Sequence, residues 1–131
     1  MILQLKIIGI LLSLLAFIHI GFPNYFNWKK ELKSMSLINQ QMMTVHTFFI
    51  ALVVFLIGLL CFTSANELIE TNFGKRISLG LGVFWCIRLI FQLFVYSPKL
   101  WRGKKFETSM HIIFTIFWIY LGSVFFIIFF K

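Results

Sequence analysis

The stretch ISLGLGVFWCIRLIFQLFVY, residues 77–96, decides how the rest of the chain is read. A continuous apolar run of about 20 residues is the length a helix needs to cross the hydrocarbon of a bilayer. This run carries Arg88 near its centre. An arginine at that depth costs several kcal/mol or more unless it faces a partner or water inside a bundle. Gln92 and Tyr96 follow Arg88 at helical spacing, so a polar stripe runs from mid-membrane to the C-terminal end of the helix.

Three more apolar segments, residues 2–21, 45–63 and 109–130, have spanning length. The 131 residues are 60% hydrophobic and 12% charged, against about 45–50% and about 25% in soluble domains. Four spans leave no room for a separate soluble domain. The expectation is all-α: a transmembrane four-helix bundle forming a single integral membrane domain over residues 1–131, in a lipid bilayer. The first run carries Lys6 and is not followed by a cleavage-type small-residue site, so it reads as a retained helix and not as a signal peptide. Cys61 and Cys86 lie inside apolar segments without metal-type spacing and read as buried thiols. The net charge of +8 comes from basic residues flanking spans and from Arg88, which points away from nucleic acid as a partner.

Pro23 ends the first helix. Between the first two spans, Asn27 is placed to cap a short helix whose Trp28, Leu32 and Met35 share an apolar face opposite Lys29, Lys30 and Lys33. That is the pattern of an amphipathic helix lying in the headgroup region. Ser36 is placed to cap a helix beginning at Leu37, and Gly74 reads as a breaker in the connection before the third span. In the fourth span His111 falls in the first turn, with Thr115, Trp118 and Gly122 along one face. Four spans put both termini on one side. Lys29, Lys30, Lys33, Lys99, Arg102, Lys104 and Lys105 share the other side, whereas the terminal side holds only Lys6, Lys75, Arg76 and Lys131. The positive-inside rule makes the first set cytoplasmic and both termini non-cytoplasmic.

In that topology His19, His46 and His111 all fall near the cytoplasmic ends of their helices. Three neutral imidazoles are a ligand set for one divalent metal, zinc, iron or copper. Glu31 or Glu107 would complete it or act as a base. No HExxH pair is present. Arg88, Gln92 and Tyr96, with Asn39, Glu31, Glu107 and Trp28, outline a polar pocket on the same side. An intramembrane arginine suits an amphiphilic anion there: a lipid phosphate, a carboxylate or an isoprenoid diphosphate. Two other readings come from different classes. One is a non-catalytic membrane subunit or scaffold, homodimeric or docked on a partner subunit, whose polar residues lock helices. The other is a small b-type cytochrome with two of the histidines on haem. No phosphate loop or catalytic triad order appears, so no reaction is assigned and the question of enzyme activity stays open.

The chain reads W-x-x-E-L at residues 28–32, S-x-x-N-x-Q at 36–41, V-H-T-F-F at 45–49 and F-W-C-I-R-L-I-F-Q-L-F-V-Y at 84–96. This resembles a group of small uncharacterised bacterial four-helix membrane proteins. The resemblance covers most of the chain and implies a bacterial inner-membrane location. It also implies that Trp28, Glu31, Asn39, Gln41, His46, Arg88 and Gln92 occupy the polar positions of the pattern; it brings no activity.

Overall fold

The structure, a computed structural model, describes residues 1–95, 99 and 102–131. Among these residues every regular element is helical: α1 (Ile2–Ile20), α2 (Phe22–Tyr25), α3 (Trp28–Glu31), α4 (Leu37–Thr63), α5 (Ala65–Glu70), α6 (Asn72–Ile90) and α7 (Lys105–Phe130). A 3-10 turn covers Leu32–Ser34, and α6 runs on into a π-helical segment, Phe91–Val95. Four helices are long and apolar enough to cross a membrane: α1, α4, α6 with its π-helical extension, and α7. Their outer faces carry large exposed apolar side chains, Phe94 and Phe130 at 78% and Ile116 at 62% among them. Apolar surface so extensive on four long helices is at home in lipid and not in water.

The chain divides into two compact units, Ile2–Ala65 and Asn66–Lys131. In the first, α1 packs on α4. Their backbones meet at two glycines: a Cβ on Gly9 would stand 2.6 Å from the Gly58 carbonyl oxygen, and one on Gly58 would stand 2.8 Å from that of Gly9. Small residues at a crossing are how membrane helices gain van der Waals contact when lipid supplies no hydrophobic drive between them. Ser13, beside the crossing, donates to the Gly9 carbonyl at 2.8 Å.

The start of α4 is as the sequence predicts. Ser36 is its N-cap, its Oγ accepting from the Asn39 amide at 3.4 Å. At 27 residues and about 1.5 Å per residue, α4 is longer than the hydrocarbon is thick, so its polar first turns reach beyond it. The segment before it differs from expectation. Instead of one amphipathic helix, the chain makes two single turns, α2 and α3, and the 3-10 turn. Asn27 precedes α3, but with a left-handed φ of 55° and no side-chain cap. Without that cap, and with only four residues in α3, the helix does not extend far enough to present a continuous face.

In the second unit α6 packs on α7. Gly74 is not a breaker. Thr71 caps α6, its Oγ accepting from the Gly74 amide at 2.8 Å, and Gly74 is inside the helix. A Cβ there would run into the backbone of Glu67 and Leu68, so the glycine permits the tight turn from α5 into α6. The α7 helix begins at Lys105, earlier than its apolar run, which moves His111 from the first turn to the second. Gly82 lies against the Phe126 ring, and a Cβ on Gly122 would stand 3.1 Å from Cys86 Sγ. The two helices therefore cross closely below the polar residues.

Candidate functional site

The second unit assembles a polar and aromatic cluster from residues at helical spacing on two helices. On α6 and its extension these are Trp85, Arg88 and Gln92; on α7 they are His111, Thr115 and Trp118. Helical periodicity puts each set on one face, and the α6–α7 packing brings the two stripes together. Gln92 Nε2 lies 2.8 Å from His111 Nδ1. The amide nitrogen donates and Nδ1 accepts. Gln92 is buried and sits in the π-helical segment. Such a widened turn is a frequent feature of functional sites, because it re-aims a side chain out of the regular ladder.

One turn earlier the Arg88 guanidinium carbon lies 5.1 Å from the centre of the Trp118 ring. That is within cation–π range, an interaction of about 2 kcal/mol or more where water is excluded. Trp118 in turn stacks on Trp85, with centroids 5.1 Å apart and planes at 7°, and on Phe114 at 5.6 Å. The indole is thus held in position before the arginine reaches it. Both indole Nε1 atoms are buried and have no hydrogen-bond partner among the described residues. Thr115 spends its hydroxyl within its own helix, donating to the His111 carbonyl at 2.7 Å. This carbonyl bond further ties down the turn that carries the histidine.

Of the residues the sequence proposed, the α6–α7 unit therefore joins Gln92 to His111 and sets Arg88 on the adjoining Trp118. Glu107 is in the first turn of α7, one turn before His111. The level of Trp118 lies roughly 16 Å further along the axis at 1.5 Å per residue. Tyr96 lies outside the described residues. His19, His46, Asn39, Glu31 and Trp28 belong to the first unit. There His19 uses Nδ1 on the Leu15 carbonyl at 2.8 Å and its ring packs at 4.7 Å on Phe22; His46, Asn39 and Glu31 are exposed. Among the described residues no group of three or more His, Cys, Asp or Glu could hold a metal ion, so a metal centre has only the sequence in its favour. Trp85 is the residue the sequence reading passed over. The signal was present, since Trp85 is one turn before Arg88, but a tryptophan in a span ordinarily reads as packing.

Beside this cluster the α6–α7 unit carries an open groove of about 420 Å³. Its walls are almost entirely apolar, and Trp118 is one of them.

Comparison with protein-family models, curated proteins and solved structures found no match.

Proposed function

We propose that this chain is an integral membrane protein that binds an amphiphilic anion, with Arg88 as the charged anchor. Gln92, His111 and Trp118 would shape the site around it. The observation that carries this is the placement of the Arg88 guanidinium on the Trp118 ring, within a membrane span, where an arginine faces polar partners or water. A phosphate or carboxylate headgroup matches the planar donors of the guanidinium. In this reading the four spans form one bundle with both termini non-cytoplasmic, and the anion enters from the basic, cytoplasmic side, where the positive-inside rule places Lys99, Arg102, Lys104 and Lys105.

A second reading has a specific observation in its favour. The Gln92–His111 contact joins α6 to α7, as would a polar clamp in a non-catalytic subunit. The two readings separate in thermal unfolding in neutral detergent, with and without added phosphatidic acid. A ligand that binds only the folded state at about 100 times its Kd stabilises it by about 2.7 kcal/mol. Anion binding predicts that phosphatidic acid raises the midpoint of the wild type more than phosphatidylcholine does, and that Arg88→Gln removes the difference. Equal effects of both lipids on the wild type would leave the clamp as the better account.

A further inference from the structure

The segment that joins α1 to α4 carries charge and aromatic surface that the site at Arg88 does not use. At 19 residues and about 1.5 Å each, α1 matches the roughly 30 Å of bilayer hydrocarbon. The chain therefore leaves the apolar layer where α2 begins. Ring contacts start at that point: Phe22 packs at 4.7 Å on His19, in the last turn of α1, and at 5.5 Å on Phe26. Phe26 in turn meets Tyr25 at 4.9 Å, yet Tyr25 and Phe26 stay 61% and 50% exposed. Asn27 then turns the chain through its left-handed φ of 55°, and its carbonyl accepts from the Lys30 and Glu31 amides, which closes α3. Lys29, Lys30 and Lys33 are exposed, and Glu31 is the one acidic residue in 21–36.

We infer that residues 22–33 form a recognition surface for acidic phospholipid headgroups, with Tyr25 and Phe26 seated at the edge of the hydrocarbon and the three lysines on lipid phosphates. The surface belongs to the first unit and does not depend on the site at Arg88. Depth and charge both favour lipid as the occupant. The segment starts directly at the end of a span, at the level where aromatic rings anchor membrane proteins and where headgroups are already present. Lysine is a compact point-charge binder of phosphate, and each basic side chain near an anionic leaflet favours it by a factor of about five. Exposed charge pairs are weak one by one. The preference therefore arises at a charged leaflet and is not carried through purification in neutral detergent.

The test replaces Phe26 with the photo-crosslinker p-benzoylphenylalanine in the whole chain. The protein is reconstituted in vesicles of equimolar phosphatidylglycerol and phosphatidylcholine, irradiated, and its lipid adducts are identified by mass. Phosphatidylglycerol adducts are expected to exceed phosphatidylcholine adducts at least about fivefold, the effect of one basic side chain. Lys29→Gln, Lys30→Gln and Lys33→Gln combined should bring the ratio to about one. All three side chains are exposed, so the helical circular-dichroism spectrum should be unchanged. Arg88→Gln should leave the ratio as it is, which separates this surface from the anion site. A ratio near one in the protein with all its lysines, or a high ratio that the triple variant does not lower, would overturn the assignment. Irradiation in native membranes that yields protein adducts in place of lipid adducts would also overturn it, and would make an acidic partner protein the occupant.

Discussion

Gln92 and His111 are nineteen residues apart in sequence and meet because α6 and α7 pack on one another. A hydrogen bond of this kind contributes about 0.5–1.5 kcal/mol, and leaving one partner buried and unsatisfied costs about 1–3 kcal/mol. Gln92→Leu and His111→Phe should therefore each destabilise the protein, while the double variant is less destabilised than the sum. A double-mutant cycle in detergent unfolding, with a coupling of about 1 kcal/mol, would verify the contact; strict additivity would deny it. Trp118→Ala should both destabilise the unit and weaken anion retention, because the indole orders Arg88. Much of this was legible beforehand. The 88–92 stripe and the 111–115–118–122 stripe each follow from helical periodicity. That the two face each other did not follow, since helix pairing is a tertiary fact that no local spacing encodes. The role of Trp85 was hidden for the same reason: it stacks on Trp118, which belongs to another helix.

The helices themselves were legible from apolar run length, but their ends were not. Hydropathy marks the part of a helix that lies in hydrocarbon, whereas helix length is set by caps. Thr71 starts α6 and α7 already runs from Lys105, each several residues before its apolar stretch. Ser36 was readable as a cap because the side chain that caps is local to the turn it satisfies. Gly74 was misread for the converse reason, since only the fold shows the backbone of α5 lying against it. The Gly9–Gly58 crossing gives a prediction at this scale. At 2.6 and 2.8 Å from the opposing carbonyls, an added Cβ must push the helices apart, and overpacking of this kind costs about 1–3 kcal/mol. Gly58→Val should lower the unfolding midpoint more than Gly80→Ala, since a Cβ on Gly80 meets nothing within 4 Å. Equal midpoints would mean that the crossing is looser than described.

For the whole molecule, membrane residence follows from four apolar helices with exposed lipid-type faces and was evident from composition alone. Orientation is an expectation of charge distribution. Cysteines introduced at Ser34 and at Lys131 should label from opposite sides of the membrane in intact cells, with position 131 reached from outside. Labelling of both from one side would contradict the topology and with it the cytoplasmic entry of the anion. The chemistry of the site was the least legible. The three histidines suggested a metal; the structure shows His111 Nδ1 bonded to Gln92 and His19 Nδ1 to the Leu15 carbonyl, bonds that a count of ligand types does not anticipate and that leave Nε2 of each ring outside them.

Native mass spectrometry of the wild type and Arg88→Gln, each purified from membranes in neutral detergent, tests the anion site most directly. The wild type should carry a co-purified anionic lipid, and added phosphatidic acid should be retained at least tenfold better than phosphatidylcholine, about 1.4 kcal/mol. Arg88→Gln should carry none and retain both lipids alike. Identical lipid retention by the two proteins would contradict the account, and Arg88 would then be a residue that holds helices together.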